Sequence, residues 1–212
     1  MCYNFFGILY IDKGMIMKNI IFDLGGVILK GTPKDMFKNE NEKLLSFFEN
    51  SDDLDLGNIT LEEKFNNCNF SEELIKEYKE RLTKYYEFRE INLDLINLIK
   101  KLKKNGYMIY ILSDNNKETY DYCKELNIFS DIDGWVVSCE YHTMKKDKIL
   151  FDIFLKKYDL DPKECYFIDD KESNVLIAKE YGIKGYVFDE NKDISLLYND
   201  MKDNGIILRW IN

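Results

Sequence analysis

The 212-residue chain alternates between short continuous apolar runs and longer stretches in which apolar residues recur every third or fourth position. The runs fall at residues 20–22, 108–112, 135–137, 165–168 and 186–188. Uninterrupted apolar runs of this length suit strands buried on both faces, as in parallel sheets. Between them the period lengthens to that of an amphipathic helix. Leu93, Ile96, Ile99 and Leu102 form one such stripe. Lys100, Lys101, Lys103 and Lys104 read as its solvated last turns, where cations suit the helix dipole, and Gly106 as its stop. Further helices are expected over 117–126, 149–158, 174–181 and 194–201. Asp161-Pro162 reads as a cap-and-start pair, and the apolar stretch 206–211 as packing on the sheet edge. This alternation argues an α/β fold, a parallel sheet with helices on both faces.

Residues 31–90 break the rhythm. Gly31-Thr32-Pro33 interrupts the chain, and three helix-like pieces follow with no strand signal. The first, 34–50, carries Met36, Phe37, Leu44, Leu45, Phe47 and Phe48. Thr60-Leu61-Glu62-Glu63 has the form of a capping box that opens a short helix through Phe65. Ser71 is placed as the N-cap of a longer helix, with Leu74, Tyr78, Leu82 and Tyr85 at helical spacing. The segment reads as a small all-helical insertion after the first strand. Residues 1–16 are apolar at the start, but far short of the ~20 residues that span a bilayer. They read as an N-terminal extension, with a weak membrane or partner anchor as the alternative.

Composition narrows the function. Thirty basic against thirty-nine acidic residues give a net charge of −9, which argues against nucleic acid or an anionic membrane as partner. No stable membrane insertion is expected. A phosphorylated substrate stays compatible, because a lysine and a metal ion can reverse the sign inside a cleft. The five cysteines form no C-x-x-C pair, which favours reduced thiols and a cytoplasmic setting over a disulfide framework or zinc site. His142 is the single histidine and leaves little for a Ser-His-Asp triad; it reads as a turn or surface residue.

The candidate chemistry sits where strands end. Asp23 follows the first apolar run and is itself followed by Leu24-Gly25-Gly26. Open α/β sheets bind ligands at the carboxyl ends of their strands, and glycines let backbone approach a bound group. The second run ends in Ser113-Asp114-Asn115, Lys145 lies in a polar loop between the third strand and a helix, and the fourth run ends in Asp169-Asp170. Each of these alone also fits an ordinary turn or helix cap. The ordered set of Asp, Ser, Lys and Asp-Asp resembles the haloacid dehalogenase-like (HAD) hydrolase superfamily, its phosphatase-rich branch in particular, over roughly residues 18–188. The resemblance implies a doubly wound, Rossmann-like core over 17–30 and 91–212, and a helical cap over 31–90 that closes on the site and selects the substrate.

The resemblance also implies roles. Asp23 is the candidate nucleophile, forming an aspartyl-phosphate. Ser113 and the backbone N–H of Asp114 bind the phosphate, beside Gly26, and Lys145 touches both the phosphate and Asp23. Lys146 stands where the family often has proline, so either lysine can be the one that points inward. Asp23, the Gly25 carbonyl and Asp170 hold Mg²⁺, and Asp169 holds metal-bound water or orients its neighbour. One departure matters: most phosphatases of the superfamily carry an aspartate two residues after the nucleophile as proton donor. Here that position is Gly25, as in some sugar-phosphate phosphatases with an Asp-Leu-Gly start. The expected function is Mg²⁺-dependent hydrolysis of a small phosphorylated metabolite, with a sugar phosphate among the candidates. The alternatives are a 2-haloacid dehalogenase-like enzyme, whose halide leaves without a proton, and a catalytically idle phosphate-binding module. The Asp169-Asp170 pair favours the phosphatase, because the dehalogenase chemistry has no use for a metal.

Overall fold

A computed structural model describes residues 17–31, 37, 39, 42–49 and 51–209, with the side chains of 43, 44, 49 and 86–88 outside the description. The expected extension over 1–16, Thr32, Pro33, Met36 and residues 210–212 lie outside the described residues. In chain order the elements are β1 (Asn19–Phe22), α1 (Glu42–Glu49), α2 (Asp52–Asp55), α3 (Leu61–Asn66), α4 (Glu72–Phe88), α5 (Leu93–Lys104), β2 (Met108–Ser113), α6 (Lys117–Glu125), β3 (Gly134–Val137), α7 (Ser138–Tyr141), α8 (Ile149–Tyr158), β4 (Cys165–Asp169), α9 (Glu172–Glu180), β5 (Lys184–Val187) and α10 (Ser195–Asp203).

The five strands form one parallel sheet in the order β3–β2–β1–β4–β5, so the sheet is doubly wound about β1. Alternate residues of each strand feed opposite faces. Ile20, Phe22, Ile109, Ile111, Tyr166 and Ile168 pack under α5 and α10. Ile21, Tyr110, Leu112, Val136 and Phe167 pack under α8 and α9. Every one of these residues is buried, which is why their strands read as continuous apolar runs.

Several expectations need correction. Leu93 is 62% exposed; the stripe that packs is Leu95, Ile96, Leu98, Ile99 and Leu102, because the helix starts at Asn92, whose side chain accepts the Leu95 N–H, and its first residue turns outward. β5 starts at Lys184, two residues before the apolar run, and includes Gly185. A Cβ on Gly185 would lie 2.8 Å from a Val175 methyl, so α9 rests directly on this strand, and the lysine and glycine that open it lie outside the apolar run. The stretch over 206–209 does pack on the layer under α5 and α10, with Ile206 buried and Leu208 against it, and it is tied to the turn before β2 through Ile207 N–H to Tyr107 Oη at 2.8 Å and Arg209 N–H to Asn105 Oδ1 at 2.8 Å. Four single-turn pieces, α2, α7 and 3₁₀ turns at Asn127–Phe129 and Lys145–Asp147, were not expected, since one turn shows no periodicity.

Among the described residues, 31–90 contain helices and no strand. The Thr60 capping box and the Ser71 cap both form. The segment leaves and rejoins the core through paired backbone: Lys30 N–H bonds Glu90 O at 2.9 Å and Asn92 N–H bonds Ile28 O at 2.8 Å. It has an apolar cluster of its own, with Phe37, Phe47, Phe65, Tyr78 and Leu82 buried.

Candidate active site

Because the sheet is parallel, the carboxyl ends of β1, β2 and β4 open on the same side, and the side chains that follow them meet there. Asp23 leaves β1 buried, its Oδ1 accepting the Leu24 N–H at 2.7 Å and the Ser113 hydroxyl at 2.6 Å. Ser113, the last residue of β2, is fully buried and also accepts the Asn115 side-chain amide at 2.9 Å. Lys145 opens the 3₁₀ turn after α7, and its backbone N–H donates to Asp114 Oδ1 at 2.9 Å. Its ammonium lies 2.9 Å from Asp23 Oδ2 and 2.5 Å from Asp169 Oδ2. That resolves the choice between adjacent lysines: Lys145 points inward, while exposed Lys146 pairs with Asp52 at 2.7 Å. A buried lone ammonium is costly; two facing carboxylates offset that cost.

Asp169 and Asp170 differ sharply. Asp169, at the end of β4, has no exposed surface, and both its oxygens are taken: by Lys145, by the Asn174 amide at 3.0 and 3.1 Å, and by the Lys171 N–H at 2.8 Å. Asp170 is exposed and receives no hydrogen bond from another described residue. Gly26 lies against it. A Cβ there would fall 2.6 Å from Asp170 Oδ2, and the residue has φ +73°, so both space and backbone demand glycine. The Gly26 N–H is already donated to Leu29 O at 2.9 Å, so what Gly26 offers a ligand is room.

The electrostatics are those of a site short of positive charge. Carboxylate oxygens of Asp23, Asp169 and Asp170 lie within 4.8 Å of one another, against a single buried ammonium. Burial pushes the Asp23 carboxyl up to about 7; Lys145 and the Ser113 hydroxyl pull it down, and Asp169 pushes it up. Burial, then Asp169, also raises Asp170. Burial alone would lower Lys145, but Asp23, Asp169 and Asp114 outweigh it and hold the ammonium protonated. Hard carboxylate oxygens at this spacing, with Asp170 bonded by no other described residue, fit a small divalent cation.

The site also contains residues that the sequence pattern did not single out. Asn115 and Asn174 hold Ser113 and Asp169 in place. Ser138 accepts the Asn115 N–H at 3.0 Å and donates to the carbonyl of Asp55 at 2.5 Å, which joins the strand-end loops to the helical segment. Asn115 and Asn174 follow the strand ends by a few residues, the only trace a sequence offers; Ser138 and Asp55 leave none.

Known proteins fit this picture. The family model "haloacid dehalogenase-like hydrolase" matches residues 17–182. The chain is 25% identical over 200 residues to a D-ribitol-5-phosphate phosphatase of Bacteroides thetaiotaomicron, across 81% of this chain and 91% of that protein. The fold superposes on the crystal structure of a HAD family enzyme from the same organism, an Asp-to-Ala mutant in complex with magnesium and inorganic phosphate, with a TM-score of 0.70 and 25% identity over 86% of this chain and 99% of the other. A HAD phosphatase of Thermococcus onnurineus shares the fold with a TM-score of 0.68 at 20% identity, over 91% and 100% of the two chains. From the order of its strand-end residues to the extent of the family match, this chain belongs to the haloacid dehalogenase-like hydrolases.

Proposed function

We propose that this hydrolase is a Mg²⁺-dependent phosphatase of small phosphorylated metabolites. The observation that carries the reading is the meeting of Asp23, Ser113, Lys145 and the Asp169-Asp170 pair at one end of the sheet, with the Asp170 carboxylate bonded by no other described residue. Asp23, Asp170 and the Gly25 carbonyl would hold the metal, and Asp169, its oxygens occupied by Lys145 and Asn174, would orient that set. The bound ion supplies positive charge against which an anionic carboxylate can approach an anionic phosphate.

The protein groups do the rest. An Asp23 oxygen forms a bond to phosphorus as the ester P–O bond breaks, and the ester oxygen departs with the electron pair. Lys145 neutralises charge on the transferring group, and the Ser113 hydroxyl and the Asp114 N–H bind its oxygens. Water then attacks phosphorus, the Asp23–phosphate bond breaks, and inorganic phosphate leaves. The substrate is read as a sugar or sugar-alcohol phosphate, supported by the relative named for D-ribitol 5-phosphate. Residues 31–90 are read as the cap that selects it. Among the described residues no helix is long and apolar enough to cross a membrane, and the four described cysteines are free thiols, which supports a cytoplasmic enzyme.

The test is turnover of p-nitrophenyl phosphate with Mg²⁺ and with EDTA, in wild type and Asp23→Asn. Metal-dependent turnover that falls by at least ~10³-fold in the variant is expected, since removing a covalent nucleophile leaves only binding effects. Activity that survives in Asp23→Asn removes Asp23 from its role. Fluoride released from fluoroacetate by an enzyme inert to phosphate esters overturns the phosphatase reading itself.

A further inference from the structure

Gly25 leaves a chemical gap. A primary alcohol is a poor leaving group unless its oxygen is protonated as the P–O bond breaks. We propose that Asp55, at the end of α2 in the helical segment, is the carboxyl that donates this proton and later activates water. The proposal rests on the phosphatase reading above and assigns a catalytic residue to that same site.

The geometry leads from the gap to Asp55 in short steps. A Cβ on Gly25 would lie 3.7 Å from the Asn115 side-chain amide, so the vacant side-chain position faces Asn115. The Asn115 backbone N–H is held by the Ser138 hydroxyl, and that hydroxyl donates to the Asp55 carbonyl. Asp55 is thus stitched to the residue that borders the gap. Its neighbours are held as well. His142, in a left-handed turn after α7, places Nδ1 2.8 Å from Leu56 O. Gly57, with φ +68°, fits so closely over α7 that a Cβ would fall 2.2 Å from the Cys139 carbonyl oxygen.

Every one of these contacts uses backbone of 55–57, which leaves the Asp55 carboxyl without a hydrogen bond among the described residues. The charged groups around it are Asp114, Lys171, Asp52 and Lys64. Asp114 follows Ser113 and Lys171 follows Asp170, so two of the charges that act on the carboxyl belong to the loops that frame the phosphate site. Burial first, then Asp114, pushes it up to about 7, with Lys171 and Lys64 opposing. A group that titrates near neutrality both gives and takes a proton well.

In the first step Asp23 bonds to phosphorus, the ester P–O bond breaks, and the oxygen takes its electron pair and the Asp55 proton to leave as the alcohol. In the second the Asp55 carboxylate takes a proton from the attacking water, the Asp23–phosphate bond breaks, and Asp55 is protonated again.

The experiment compares wild type, Asp55→Asn and Asp55→Glu, each with Mg²⁺, on ribitol 5-phosphate and on 2,4-dinitrophenyl phosphate. Asp55→Asn is expected to lose ~10²–10⁴-fold in kcat/KM on the alkyl ester. On the aryl ester, whose phenolate needs no proton, it should release one burst of dinitrophenolate per enzyme and then stall, because water is no longer activated. The alkaline limb of the wild-type kcat/KM profile near neutrality should vanish in Asp55→Asn, and Asp55→Glu should restore part of the rate. Equal losses of kcat/KM on both esters, or no loss on the alkyl ester, overturn the proposal while wild-type turnover leaves the phosphatase reading intact. A wild type inert to both esters overturns the phosphatase reading and this proposal with it. Should Asp55→Asn fail to fold, wild-type rates across a series of leaving groups decide: weak dependence on leaving-group pKa supports a proton donor, and steep dependence rejects it.

Discussion

In the sheet core, each strand sends alternate side chains into two layers, a mainly aliphatic one under α5 and α10 and a mixed aliphatic and aromatic one under α8 and α9. In the helical segment, rings pack on rings: Phe37 stacks on Phe48 at 4.7 Å, Phe47 stacks on Phe65 at 4.7 Å, and Tyr78 meets Phe37 edge-on. Polar contacts between the helical segment and the core include Ser138 to Asp55 O, His142 to Leu56 O, Lys146 to Asp52, and the Leu61 N–H to Glu118 at 3.0 Å. The difference separates two kinds of site residue. Those on strand ends are fixed by a buried ladder and buried charge pairing. Asp55 sits on a segment with an apolar cluster of its own, held to the core across this seam by hydrogen bonds to the backbone of Asp55 and Leu56.

The two adjacent lysines give the sharpest way to break this comparison. Lys145 belongs to the core, with 1% of its side chain exposed, and Lys146 to the seam, with 58% exposed. Lys145→Met leaves Asp23 and Asp169 facing each other without a cation. It is expected to cost ~3–5 kcal/mol of stability at pH 8 and to remove phosphatase activity. Lys146→Ala removes an exposed ion pair worth ~0–1 kcal/mol. Urea unfolding of the two variants without divalent ions checks this, and a larger loss in Lys146→Ala would reverse the assignment.

The seam itself is tested at Gly57. Alanine there meets both a left-handed backbone and the Cys139 carbonyl, so the 55–57 loop must lift from α7. The local strain is worth ~1–3 kcal/mol. It falls on docking and leaves the sheet untouched. Gly57→Ala is therefore expected to lower kcat/KM by ~10-fold or more, with the sheet's unfolding midpoint nearly unchanged. Amide exchange should accelerate over 51–60 and hold steady in the strands of the sheet. Unchanged protection of 51–60 would show that the contact is not what holds the loop.

The same division explains what the sequence made legible. The strands announced themselves because residues such as Ile21 and Phe22 are buried on opposite faces, so no polar position interrupts the run. Asp23, Ser113 and Asp169 were readable because a polar residue closing a buried strand is conspicuous. The lysine register was not, because Lys145 and Lys146 differ only in which way a single 3₁₀ turn faces. Asp55 was hidden for a different reason. Asp52-Asp53-Leu54-Asp55 reads as a solvated acidic run, and only the fold shows that α7 grips the backbone just beyond it. Periodicity records which face is apolar; it does not record which loop another loop holds.

The smallest expected effect bears on Asp55 without any catalysis. In the folded chain its carboxyl keeps its proton until about pH 7, whereas its ordinary value is 3.8. Between those pH values the folded state binds more protons than the unfolded state, so the group makes stability fall as pH rises. The penalty is absent near pH 4 and complete above pH 7. A shift of that size corresponds to ~4 kcal/mol. Partial exposure of the side chain to water reduces the expected penalty to about 1–2 kcal/mol. Asparagine keeps the shape and never ionises. Asp55→Asn should therefore be more stable than wild type by that amount at pH 8 and equal to it at pH 4, measured by urea unfolding in EDTA. Asp23, which is raised in the same direction, is present in both proteins, so the difference between them isolates Asp55. A wild type more stable than the variant at pH 8 would mean that the Asp55 carboxylate is a favourable partner in the seam. A carboxylate so stabilised would hold its proton too weakly to protonate an alcohol.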